Sequence, residues 1–180
     1  MKKETGYVQD KNGVFTQLND TNGGHSLDIK IDRDNTTGYI YTHLNDFPTG
    51  KTDPKTGRPF INKIKRMFSP ADVIKFLQIA KYTEYNNIPL SSVYGTMVSS
   101  SGTYTLKFTG NTADIKDLKT AEEYESDYIK LMKKGNEKGF LRFLRDHIKV
   151  EGIELYKIKN SGRIRPKTLD ESGKVETGDC

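Results

Sequence analysis

The sequence predicts a mixed α/β or α+β domain, a sheet with helices against it. Three observations carry this: short stretches of alternating apolar residues, two capped helical segments later in the chain, and the order strands, helix, strands, two helices, strand. Parallel and antiparallel pairs are both compatible with that order.

Residues 5–18 read as a hairpin, Tyr7-Val8 and Val14-Phe15 flanking Asp10-Lys11-Asn12-Gly13, whose Asn-Gly pair suits the positive φ of a tight turn. Leu27, Ile29 and Ile31 alternate with polar residues after Gly23-Gly24, which predicts a strand over 26–32. A turn at 34–38 leads to Tyr39-Ile40-Tyr41-Thr42-His43. There the period of two puts Tyr39, Tyr41 and His43 on one face, with His43 at the strand's end.

Residues 44–67 show no periodicity, contain three prolines and the basic run Lys63, Lys65, Arg66, and read as a long functional or mobile loop. Ser69 is a natural N-cap and Pro70 suits the first helical position, so a helix is expected from about Pro70 to Tyr85 with Asp72 in its first turn. Its apolar arc is wide enough for burial on more than one side.

A second hairpin joins 93–98 to 103–108 across Ser99-Ser100-Ser101-Gly102. Thr120 with Glu123 forms a capping box ahead of a helix striped by Tyr124, Tyr128, Leu131 and Met132. After Gly135 comes a helix with Phe140, Leu141, Leu144 and Ile148 inward and Lys138, Arg142, Arg145 and Lys149 outward. Residues 152–158 read as the last strand, and 170–180 as a disordered tail.

The chain has 180 residues, 33% of them hydrophobic, with ten tyrosines and eight phenylalanines lying inside the periodic segments, which argues for a packed core. No apolar run reaches a membrane span, and Met1-Lys2-Lys3-Glu4 lacks the apolar stretch of a signal peptide behind it, so a soluble chain is expected. The one cysteine, Cys180, excludes an intrachain disulfide framework and a cysteine-built zinc site. Net charge is +5 with 29 basic and 24 acidic residues interleaved, a weak attraction for acidic partners. The basic faces at 63–66 and 138–149 read first as solvated surface. Nucleic-acid binding through them is a minor alternative.

A strand delivering His43 and a helix start delivering Ser69 and Asp72 can converge on one polar site of the kind that holds a metal-bound water. Each residue also has an ordinary reading: Ser69 and Asp72 as a helix cap, Glu4 as a solvated charge, His43 as a polar strand end. His147, late in its helix, reads as structural or surface.

The order of Glu4, Tyr41-Thr42-His43 and Ser69-Pro70-Ala71-Asp72 resembles the JAB/MPN (JAMM) metalloprotease signature: an early Glu, His-x-His closing a strand, and Ser-x-x-Asp opening a helix. The resemblance covers roughly residues 4–110, with 111–169 as a helix-helix-strand extension packed on the same domain. It implies a JAMM/cytidine-deaminase-like core, zinc as cofactor, His43 and Asp72 as metal ligands, Glu4 as proton acceptor and donor, and Ser69 supporting the tetrahedral intermediate. The reaction implied is peptide or isopeptide hydrolysis. The family's bacterial members imply a secreted-effector, toxin or phage-related setting, with a protein or peptide substrate and an immunity or adaptor protein as partner.

Two departures weaken that chemistry. Tyr41 replaces the first His of the pair, and a neutral phenol is a poor zinc ligand. Twenty-five residues separate His43 from Ser69, a long link that could supply a substitute ligand, with Asp46 and Asp53 the candidates, or cover the site. His25 is a further candidate ligand. The expected activity is therefore weakened or lost. The alternative is a metal-free binding module or effector domain in which Tyr41 fills the site.

Overall fold

The computed structural model describes residues 3–21, 26–159 and 161–179. Its elements are β1 (Gly6–Asp10), β2 (Phe15–Gln17), β3 (Asp20–Thr21), β4 (Ser26–Leu27), β5 (Thr36–Thr42), β6 (Phe47–Thr52), β7 (Pro59–Asn62), α1 (Pro70–Tyr85), β8 (Tyr94–Ser99), β9 (Gly102–Phe108), α2 (Ala121–Met132), α3 (Asn136–Phe143), β10 (Ile153–Ile158), β11 (Ile164–Leu169) and β12 (Val175–Thr177). Eight strands form one sheet in the order β12-β11-β10-β9-β8-β5-β1-β2. Every neighbouring pair is antiparallel except β5 and β8, which are parallel because α1 carries the chain from one end of the sheet back to the other. This is the mixed sheet with helices that the sequence predicts.

The core lies between the sheet and the helices. Phe76 of α1 meets Phe108 of β9 edge to face, and Phe68, just before α1, packs against Phe140 of α3. All four rings are essentially inaccessible to water. Gly95 allows the Tyr39 ring to lie directly on the β8 backbone: a Cβ there would stand 2.6 Å from that ring.

Several expectations change. The alternation at Leu27, Ile29 and Ile31 yields only the two-residue β4. Ile29 is buried and Leu27 and Ile31 pack against the core, but without a ladder beyond Leu27. The pattern marked burial correctly, and the backbone found no neighbouring edge to pair with. Residues 44–67, read as loop, contain the β6–β7 hairpin, a separate two-stranded sheet. Leu144–Ile148 continues α3 as a π-helical turn ending in a left-handed Lys149. The chain does not stop its sheet at Ile158: β11 and β12 follow, and the stretch expected to be a disordered tail holds an Asp170 turn and β12. Among the described residues, no helix is long and apolar enough to cross a membrane.

Candidate functional site

The site lies where the carboxyl end of β5 meets the amino end of α1. Alternation along β5 turns Tyr39 and Tyr41 toward α1, and His43 continues that face one residue past the strand, its backbone N–H donating to Val98 O at 2.7 Å. The segment preceding β1 runs beside it, since Thr42 N donates to Thr5 O at 2.8 Å and Thr5 N to Thr42 Oγ1 at 2.9 Å. That pairing brings Glu4, 6% exposed, against His43.

At the helix start the capping box forms. Ser69 Oγ accepts from Asp72 N at 3.2 Å, while Asp72 Oδ2 accepts from Ser69 N at 2.7 Å and from Ser69 Oγ at 2.8 Å. The same Oδ2 takes a third donor, the Tyr41 hydroxyl, at 2.8 Å. Tyr39 donates to the Asp72 carbonyl oxygen at 3.0 Å, so two phenols of one strand fasten the first turn of α1.

His43 is held at both ring nitrogens. Nδ1 lies 2.7 Å from Glu4 Oε1, and Nε2 lies 2.9 Å from the carbonyl oxygen of Lys65. A carbonyl can only accept, so Nε2 carries a hydrogen. Burial works against a charge on the ring, but the Glu4 hydrogen bond and charge, aided by Asp72 and the Lys65 carbonyl, prevail and raise its pKa above 6.5. The protonated ring donates at both ends.

The phenols stay neutral. Burial and the nearby Asp72 charge raise the Tyr41 pKa well above 10, and the same causes act on Tyr39. Burial also raises the Asp72 pKa, opposed by the donors from Ser69 and Tyr41 and by His43.

The structure thus brings Glu4, Tyr41, His43, Ser69 and Asp72 into one cluster. Asp46 does not join it as a ligand. It accepts from Ile64 N at 3.1 Å and pairs with Lys63 and Arg66, each at 3.1 Å, closing the base of the hairpin segment. Asp53 accepts from Lys55 N and Thr56 N in the hairpin turn. His25 lies outside the described residues.

The donor set does not fit zinc. A histidine ligand presents a bare nitrogen to the metal and uses the other to anchor itself on a carboxylate or carbonyl. Glu4 serves as such an anchor for Nδ1, but Lys65 O occupies the Nε2 side that would face a metal. Tyr41 is a hydrogen-bond donor, not a phenolate. Among the described residues no three His, Cys, Asp or Glu side chains are grouped so as to hold a metal ion.

The Lys65 carbonyl, the Tyr39 hydroxyl and Tyr128 were not foreseen as parts of this region. Tyr128 of α2 donates to Phe68 O at 2.8 Å, bracing the chain just ahead of Ser69. The facing of Tyr39 with Tyr41 was visible in the alternation. A backbone acceptor such as Lys65 O leaves no residue-type signal. No family model, curated protein or solved structure matches the chain.

Proposed function

We propose that this chain is a JAMM-like fold whose metal centre has become a hydrogen-bonded polar cluster, and that it acts by binding a protein or peptide partner rather than by hydrolysis. One observation carries the reading: the Tyr41 hydroxyl donates to Asp72 Oδ2 at 2.8 Å while both nitrogens of His43 are engaged. A phenol at the first His position of the resembled signature adds a donor where a metal needs a lone pair, and it neutralises nothing. Satisfying Asp72 internally removes the need for a cation.

The convergence of Glu4, His43, Ser69 and Asp72 favours a second reading, a weakened zinc hydrolase of the secreted-effector kind. It requires the Lys65 carbonyl to leave His43 Nε2 and another ligand to replace Tyr41.

Metal content of the purified chain after zinc supplementation and desalting separates the two. The binding-module reading expects less than about 0.2 equivalents, with Tyr41→His raising the figure. Near-stoichiometric zinc on the native chain, with peptidase activity lost on Asp72→Asn, refutes it.

A further inference from the structure

Among the described residues, helices α1 and α3 pack on one face of the eight-stranded sheet, with α2 packed against both of them. Tyr39, Met97, Leu106 and Leu155 point toward them and are buried, and Glu137 of α3 accepts from Tyr104, Lys157 and Lys167 on that same face. The register defines the opposite face. Tyr7, Ile40, Thr96, Thr105, Tyr156 and Pro166 are successive partners across six adjacent strands, all pointing away from the helices. Ile40, Thr105, Tyr156 and Pro166 keep partial exposure although they sit on interior strands.

Two properties set this face apart. The first is apolar exposure: of the eight exposed large hydrophobic residues among those described, Tyr7 (41%), Phe15 (52%) and Ile164 (48%) belong to it, near its two ends. The second is its lack of charge. In a chain with 29% charged residues, its paired strand positions carry only Lys107, Glu154 and Glu176. Lys107 and Glu154 are direct cross-strand partners, and each is also bonded within the chain, Lys107 Nζ donating to Ser91 O of the turn before β8 at 2.6 Å and Glu154 accepting from the Tyr156 hydroxyl at 2.6 Å.

We infer that the helix-free sheet face is a homodimer interface, on which a second copy of the chain packs sheet against sheet about a twofold axis. The charge pattern selects this occupant. Nucleic acid and anionic lipid need a field of free cations, which the face lacks. A near-neutral surface of threonine, tyrosine and branched aliphatic side chains is compatible with its own copy, as an isologous interface requires.

The extent is also adequate. Eight strands spaced about 4.8 Å apart, the central ones about 20 Å long, give on the order of 700 Å² in plan, close to the roughly 800 Å² per partner of a standard interface. Twisted sheets pack face to face at a modest angle, which centres the contact on β5, β8 and β9.

Light scattering on the eluting full chain, loaded at about 10 to 200 µM, reads the mass directly. A dimer of the 20.4 kDa chain is expected at the upper end. Val98→Glu, on the same face of the central strand β8 one rung from the β8–β9 turn, and the double variant Phe15→Ser/Ile164→Ser, at exposed positions that the fold does not need, are each expected to raise the dimer dissociation constant at least about tenfold, with unchanged far-UV circular dichroism for the double variant. A wild-type monomer at the highest loading overturns the inference. So does a dimer that the double variant leaves intact, or binding of the monomer to phosphatidylserine vesicles or an oligonucleotide that the double variant abolishes.

Discussion

Removing one oxygen, in Tyr41→Phe, isolates the bond on which the functional reading depends. The ring stays in the core, 6.4 Å from Phe68 and 6.1 Å from Tyr39, so no cavity larger than a hydroxyl opens. Asp72 Oδ2 keeps two donors from Ser69 and loses the third. A hydrogen bond to a charged, desolvated acceptor is worth about 1.5–3 kcal/mol. With a urea slope of about 2 kcal/mol/M, the unfolding midpoint should fall by roughly 0.8–1.5 M at pH 7. Urea titration followed by circular dichroism measures it. The double-mutant cycle with Asp72→Asn attributes the loss to the pair, with an expected coupling of about 1–2 kcal/mol. A midpoint shift under about 0.2 M, or no coupling, would mean that the phenol is a bystander and that Asp72 is available for other chemistry.

Other perturbations probe the same cluster. The His43 pKa is raised on folding, so its contribution is complete below about pH 6.5 and disappears as pH rises through the higher folded value. The stability gap between wild type and Glu4→Gln should therefore be larger at pH 6 than at pH 9, and a gap independent of pH rules out the protonated pair. Ser69→Ala removes both bonds of the Ser69 hydroxyl, leaves Asp72 Oδ2 accepting from the residue 69 backbone N–H, and should cost about 0.5–2 kcal/mol by thermal or urea unfolding, with Ser69→Thr largely restoring it. Restoration failing in Thr would point away from capping.

What the sequence revealed was what short-range chemistry decides. Ser69-Pro70 with Asp72 placed the start of α1, Thr120 with Glu123 that of α2, and Asn12-Gly13 the first turn, where Gly13 has φ 84° and Asp10 accepts from Asn12 N and Val14 N. The side-chain part of the cluster was legible because a strand period and a helix cap each aim their residues predictably. What was not legible depends on distant partners. Lys65 reaches His43 by its backbone, and β6 and β7 are exposed along most of their length, so no alternation of burial announced them. In β11, Pro166 obscured a strand that pairs on both sides.

The Tyr128 bond to Phe68 O and the packing of Phe140 on the Phe68 ring tie the last third of the chain to the entrance of α1, while β10 pairs with β9 along six residues. The proposed likeness to a hydrolase signature ends near residue 110, but the physical unit does not. A fragment cut there would bare the β9 edge and strip the cover from Phe68, so the segment bearing the signature depends on its neighbour to stay folded, and both halves should melt in a single transition.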